Sequence, residues 1–317
     1  MVSIICPLHN KGQYVAETIQ SVLDQTYQNW EMIVVENGST DNGTLVVERI
    51  EDSRVTLVRA PEHIRGPGAA RNLGLEFTTG EWVLFLDADD LLENNYLENL
   101  ISVGVESDAT VIAGGWKAFD QEQQTEMVEK RPAGEFGGLL DSAIASSPWA
   151  VHAALLNADL ARRIRWPEDM DGLLAEDNHF WFKICLHGTV AYSKISGALY
   201  RQNTQDCRTQ SDDIAKWFDG VHAAAVKNVE VLEQKTDRQP NETQSANLMR
   251  LYSILYTKAK QEKNSDYAAK ALAQAEFWLA RTGSTNRRSM PMIARRILGV
   301  AWTERLKSLL QGVGATG

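Results

Sequence analysis

The sequence predicts an α/β fold in which a mostly parallel sheet is covered by helices and followed by a helical carboxyl-terminal third. Through the first 115 residues, short β-rich apolar runs alternate with helical periodicity. Polar segments follow those runs, and from about Asp212 the alternation gives way to long apolar stripes at helical spacing.

Residues 2–6 read as the first strand. Residues 14–25 read as the first helix, because Val15, Ile19, Val22 and Leu23 fall on one helical face. Strand signals recur at 32–35, 55–58, 82–86 and 110–112, separated by helical segments near 45–50, 69–77 and 96–103. Strands alternating with helices imply right-handed crossovers and a sheet whose ligands bind beyond the carboxyl ends of its strands. The third stretch of the chain reads as three helices. Their stripes are Ile214, Trp217, Phe218, Val221, Ala225, Val229 and Leu232; then Leu248, Leu251, Tyr252, Leu255 and Ala259; then Ala268, Ala271, Leu272, Ala275 and Trp278. Asn264 and Ser265 break the last two apart.

At 317 residues, 44% hydrophobic and 23% charged, the composition is that of a soluble globular chain, and no apolar run reaches the roughly 18 residues of a membrane span. Three cysteines, Cys6, Cys185 and Cys207, share no metal-ligand spacing, and residues 1–6 run into a strand without a basic leader. A cytoplasmic setting is expected. Of the net charge of −10, residues 281–317 contribute +6, which leaves an acidic body unsuited to nucleic acid. The tail at 287–310 mixes arginines with Ile293, Trp302 and Leu306 without one clean face. Peripheral contact with the inner face of the membrane and packing on the acidic body both remain open for it, as does self-association.

The segments after the strands are polar: Pro7-Leu8-His9-Asn10-Lys11, then Glu36-Asn37-Gly38-Ser39-Thr40-Asp41, then Asp87-Ala88-Asp89-Asp90. Gly66-Pro67-Gly68-Ala69-Ala70-Arg71-Asn72 lies between them, a glycine-rich turn into a helix whose backbone could approach a phosphate while Arg71 neutralises it. Taken singly, each has a plainer reading as turn punctuation or a helix cap, and Asp90 reads as an N-cap.

Together, in this order, these segments resemble the family 2 glycosyltransferases of GT-A fold, over residues 1 to about 205. The resemblance implies a Rossmann-like mixed sheet and a catalytic domain at 1–205, with a nucleotide-sugar-binding half at 1–115 and an acceptor-binding half at 116–205. Residues 206–317 are then a helical appendage with a basic tail. It implies that Asp89, with Asp87, holds a divalent cation, Mn²⁺ or Mg²⁺, against the diphosphate of a nucleotide-sugar donor. Pro7, His9, Asn10, Lys11, Glu36, Asn37, Ser39, Gly68, Arg71, Asp87, Ala88 and Arg201 fall on donor-binding positions. Glu36-Asn37 stands where the family has two aspartates, and the second of those accepts the imino NH of uracil. An amide oxygen accepts there without charge, so the expectation is that aspartate at position 37 would bind uridine more tightly. Asn203 replaces a histidine two residues beyond Arg201, which removes a third metal ligand.

Glu176-Asp177 opens an aromatic helix, and the resemblance makes Asp177 the base that deprotonates the acceptor hydroxyl, with Glu176 beside it. The pair also fits a simple complement to the helix dipole. The function so implied is inverting, metal-dependent transfer from a nucleotide-diphospho-sugar, a UDP-sugar, to a saccharide or lipid-linked saccharide in glycan, polysaccharide or lipopolysaccharide synthesis. Two other readings fit the same donor motifs: a nucleotidyltransferase of related fold, and a nucleotide-sugar-binding assembly protein without turnover.

Overall fold

The opening strand β1 (Val2–Leu8) is buried along almost its whole length, as a strand covered on both faces must be. The computed structural model describes residues 1–120, 128–135, 137–204 and 213–282. After β1 come α1 (Val15–Leu23), β2 (Trp30–Glu36), α2 (Gly43–Glu48), β3 (Val55–Arg59), α3 (Pro67–Glu76) and β4 (Trp82–Phe85). These four strands run parallel in the order β3-β2-β1-β4, so the loops leaving β1, β2 and β4 emerge side by side.

Beyond β4 the sheet turns mixed. It continues through β5 (Leu91–Leu92), α4 (Tyr96–Glu106), β6 (Val111–Phe119), β7 (Val128–Lys130), α5 (Leu139–Ala143), β8 (Ala154–Asn157), α6 (Ala158–Ile164), α7 (Glu176–His187) and β9 (Val190–Arg201). The full order is β3-β2-β1-β4-β8-β6-β9-β5; β8 is antiparallel to β4 and to β6, β9 is parallel to β6, and β7 pairs on β6. The expected strand at 110–112 is the start of a nine-residue one.

Beneath the far half lies an aromatic core. Trp166 stacks on Phe180 at 4.1 Å, and Phe85, Trp149 and Trp181 meet this group edge to face. Edge-to-face contacts suit the opposed charge of ring faces and rims. Trp149 and Trp166 are therefore core residues.

The three expected carboxyl-terminal helices form as α8 (Ile214–Thr236), α9 (Glu242–Gln261) and α10 (Ser265–Leu279). Each starts on a side-chain cap: Asp213, then Asn241 in a reciprocal capping box with Gln244, then Asn264. α8 buries Ile214, Phe218, Val221, Ala225 and Leu232, much of its predicted stripe. No helix among the described residues is long and apolar enough to cross a membrane. Cys6 and Cys185 are buried free thiols, while Cys207 and the 287–310 tail lie outside the described residues.

Candidate active site

The loops after β1 and β2 are tied into one unit. Asn10 adopts φ +51°, a left-handed conformation that asparagine tolerates better than most residues. There its Oδ1 accepts the Thr40 N–H at 2.8 Å, and its own N–H donates to Ser39 Oγ at 3.2 Å. The Asp41 carboxylate accepts from Gly12 N at 2.7 Å and from Gly43 N at 2.9 Å. His9 donates from Nδ1 to the Asn37 carbonyl at 2.8 Å, and Glu36 Oε1 accepts the Ser39 N–H at 2.5 Å. Pro7 closes β1 on the same rim.

Asn37 is buried, and its Nδ2 donates to the carbonyl of Gly66 at 2.9 Å. Its Oδ1 is buried with no hydrogen-bond partner among the described residues. Such an acceptor costs free energy unless something donates to it.

The glycine-rich turn differs from the phosphate-binding expectation. Asp171, from the segment before α7, reaches back to the amino end of α3, where its two carboxylate oxygens accept the N–H groups of Gly68 and Ala69, each at 2.8 Å. A Cβ at Gly66, which sits at φ +88°, or at Gly68 would come within 2.5 to 2.8 Å of that carboxyl group. The glycines thus make room for Asp171, and the amide of Gly68 expected to meet the donor is already bonded. Burial lifts the Asp171 carboxyl above its ordinary range, and the two N–H bonds oppose that shift.

Three residues along, Arg71 is buried. Its Nη2 donates to Asp87 Oδ1 at 2.5 Å, its guanidinium lies 4.1 Å over the Trp166 ring, and its Nε and Nη1 are buried without acceptors among the described residues. Asn72 exchanges hydrogen bonds with the backbone of Trp166, accepting its N–H at 2.8 Å and donating to its carbonyl at 3.0 Å. α3 therefore fixes both the arginine beside Asp87 and the segment that leads to α7.

After β4, Ala88 is buried in the core, so any donor contact from it would be through its backbone. Asp89 Oδ2 receives Lys11 Nζ at 2.8 Å and the Thr204 hydroxyl at 3.0 Å, and Lys11 also donates to Thr204 at 3.1 Å. Lys11 is thus a paired residue. Asp90 is not a helix cap; α4 begins later, on Asn95. Asp90 is buried, accepts the Arg201 N–H at 2.9 Å and pairs with buried His152 at 3.0 Å. Burial raises the Asp90 carboxyl, and the neighbouring imidazole opposes the rise.

The guanidinium of Arg201 donates to the Asp89 carbonyl at 2.8 Å and to Glu17 at 2.7 Å, which ties the end of β9 to the aspartate loop and to α1. Asn203 turns to Asp120, and its neighbour Thr204 is the residue that meets Asp89.

Glu176 and Asp177 open the first turn of α7 after Ala175, which sits at φ +69°. Ser147 donates to Asp177 Oδ2 at 2.8 Å. Burial raises the Asp177 carboxyl, the charge of Glu176 raises it further, and Ser147 and Arg71 pull it back. Glu176 is buried, whereas Asp177 is only half-buried. Arg71 thus bonds Asp87 directly, and its positive charge also favours the ionised form of Asp177.

No group of three or more His, Cys, Asp or Glu side chains able to hold a metal occurs among the described residues. A Mg²⁺-type ion needs only one or two carboxylates when phosphate and water complete its shell. With Oδ2 taken by Lys11 and Thr204, Asp89 has Oδ1 to offer, so the donor set fits a cation that arrives with a diphosphate and does not fit an all-protein cage.

Asp171, Thr204 and Ser147 escaped the sequence reading. Only the two glycines signalled one of them, by marking a close approach at the amino end of α3.

Residues 3–157 match the model of Glycosyl transferase family 2. An uncharacterized glycosyltransferase of Haemophilus influenzae is 30% identical over 189 residues, covering 59% of this chain and 72% of that one. The glycosyltransferase GlyG of Streptococcus pneumoniae is 34% identical over 123 residues, 38% of this chain and 40% of its own length. An Escherichia coli protein, UDP-Glc:alpha-D-GlcNAc-diphosphoundecaprenol beta-1,3-glucosyltransferase WfgD, is 37% identical over 120 residues, 38% of this chain and 47% of its own. The chain thus spans less than half of GlyG and WfgD. In fold it is similar to Staphylococcus aureus TarS 1–349, in a structure with UDP-GlcNAc, at a TM-score of 0.61 and 17% identity over 88% of this chain and 91% of that one.

Proposed function

The chain belongs to the family 2 glycosyltransferases, and on that premise we propose that it is an inverting, metal-dependent enzyme that moves a sugar from UDP to an acceptor hydroxyl. The acceptor class we propose is a saccharide or lipid-linked saccharide, in line with the activity for which WfgD is named. We also propose the division at 205/206 into a catalytic domain and a helical region.

One observation carries the reading. Arg71, whose buried Nε and Nη1 lack acceptors among the described residues, bonds Asp87, and its charge favours the ionised form of Asp177. A guanidinium so placed offers its remaining donors to an anion between the donor motifs and the base, as a departing diphosphate would be. Asn37 supports uracil, since its orphaned Oδ1 suits the imino NH. Asp89 would hold the cation, which when bound offsets charge developing on the leaving diphosphate.

Asp177 takes the acceptor proton while the hydroxyl oxygen attacks the anomeric carbon from the face opposite the diphosphate. Ser147 orients the carboxylate by donating to its Oδ2. Its raised affinity for protons makes it a better base than an exposed aspartate.

The test is a donor panel that includes UDP-glucose and UDP-N-acetylglucosamine with Mn²⁺ or Mg²⁺, read as release of nucleoside diphosphate. Asp177→Asn should lower turnover by roughly 10²-fold or more and leave UDP affinity nearly unchanged. Release of pyrophosphate when a nucleoside triphosphate and a sugar 1-phosphate are supplied instead would make the chain a nucleotidyltransferase. Retention of the donor's anomeric configuration would remove the single displacement.

A further inference from the structure

We infer that α8 belongs to the working site, with Gly220 and Asn228 as positioning residues for the segment 169–179 that presents Asp177. This rests on the reading of Asp177 as the acceptor base.

At Gly220 the helix is pressed against the backbone just before the base. A Cβ there would stand 2.1 Å from the carbonyl oxygen of Leu174 and 2.7 Å from its nitrogen. The next residue, Ala175, holds a left-handed φ of +69°, a conformation a β-carbon disfavours and that the surroundings must enforce. α8 lies against the strained turn and leaves no room for it to relax on that side.

Two turns later, Asn228 is fully buried and its amide is committed at every hydrogen-bonding position that matters. Its Oδ1 meets His179 Nδ1 at 2.8 Å, and its Nδ2 donates to Asn178 Oδ1 at 3.0 Å and to the Ile144 carbonyl at 3.1 Å. Asn178 and His179 directly follow Asp177. Ile144 stands three residues before Ser147, whose hydroxyl holds the Asp177 carboxylate. One side chain of α8 therefore fixes both walls of the base. Lys227 adds a contact to Asp169 at 2.6 Å, at the start of the same segment. A leucine would pack a helix interface without desolvating an amide, whereas a fully satisfied buried amide specifies one geometry.

The experiment compares Gly220→Ala, Asn228→Ala and Asp177→Asn in the full chain, alone and combined. Readouts are thermal unfolding, UDP affinity by calorimetry with Mn²⁺, and UDP release from whichever of UDP-glucose and UDP-N-acetylglucosamine is turned over, with water or acceptor. A Cβ at Gly220 must displace the Leu174 backbone, so some loss of stability is expected whatever the role of α8, and a contact that only packs the helix would leave the rate of the folded variant unchanged. The expected result is a loss of kcat of roughly tenfold or more, with UDP affinity within about threefold, that disappears when Asp177 is already asparagine. If Asn228→Ala does not fold, Gly220→Ala decides, and faster hydrogen exchange of the amides at 173–179 in that variant is expected as well. Unchanged kcat and unchanged exchange in Gly220→Ala, or a rate loss of full size on top of Asp177→Asn, overturns the proposal. Normal turnover by Asp177→Asn alone strikes instead at the base assignment, which separates the two failures.

Discussion

Asn37 turns its amide NH₂ to the carbonyl of Gly66 at 2.9 Å, so its oxygen faces the other way, buried and without a partner among the described residues. That relationship reverses an expectation from the sequence. An aspartate at this position would set a carboxylate oxygen against the Gly66 carbonyl, two acceptors with no proton between them. Asn37→Asp should therefore lower folding stability by about 1–3 kcal/mol, the cost of an unmade buried hydrogen bond, and should not tighten UDP binding. Chemical denaturation and calorimetry together check this. Tighter UDP binding at unchanged stability would mean that the amide is not locked by Gly66.

A second prediction concerns the cation. UDP placed near Asp87 and Asp89 meets like charge, and Lys11 already bonds Asp89 while Arg71 bonds Asp87. Removal of the divalent ion by excess chelator should weaken UDP binding by roughly tenfold or more, and Asp89→Ala should erase the difference between the two conditions. Equal affinity with Mn²⁺ and with chelator in the parent protein would refute the metal role of Asp89.

A third prediction follows from the buried imidazole of α7. Burial holds His179 down to about 4, against 6.5 for an ordinary histidine, while its bond to Asn228 works in the opposite direction. The unfolded chain therefore takes up this proton first as pH falls. Stability that is full near pH 7 drains away between about pH 6.5 and 4, by on the order of 2 kcal/mol at pH 5 from this residue. His179→Asn removes the titrating group, so its denaturation midpoint should fall less between pH 7 and pH 5 than the parent's does. An equal fall in both would show that His179 is not held neutral.

The fold was readable because its signals are local. Periodicity marks strands and helices within a dozen residues, and the polar segments after β1, β2 and β4 converge because parallel strands end on one side. The partners of the site residues were not readable. Thr204 meets Lys11 across 193 positions, Asp171 meets Gly68 across 103, and Asn228 meets His179 across 49. No periodicity or spacing encodes such pairs; they exist only once the chain is folded. Gly66 and Gly68 show the intermediate case, since a glycine announces that something comes close without saying what. Arg201 shows how much a motif leaves unsaid, because its bonds to the Asp89 carbonyl and Glu17 join residues 112 and 184 positions apart in the chain.

The carboxylate of Asp171 yields the last prediction, because its two oxygens each accept one N–H at the amino end of α3. Asp171→Asn keeps the shape but can satisfy only one of those groups, and its NH₂ must face the other donor. The change also removes a negative charge from the positive end of the helix dipole, worth typically 0.3–1 kcal/mol. With an unmade buried bond added, the expected loss of folding stability is about 1–3 kcal/mol. Binding should suffer as well, because α3 carries Arg71 and its cap residue Gly66 supplies the carbonyl that orients Asn37. UDP affinity should thus fall severalfold in Asp171→Asn, whereas the exposed control Asp159→Asn, at the start of α6, should leave it unchanged. A folded Asp171→Asn protein that binds UDP as tightly as its parent would show that the amino end of α3 holds its shape without this carboxylate, and that Asp171 has no part in ordering the donor site.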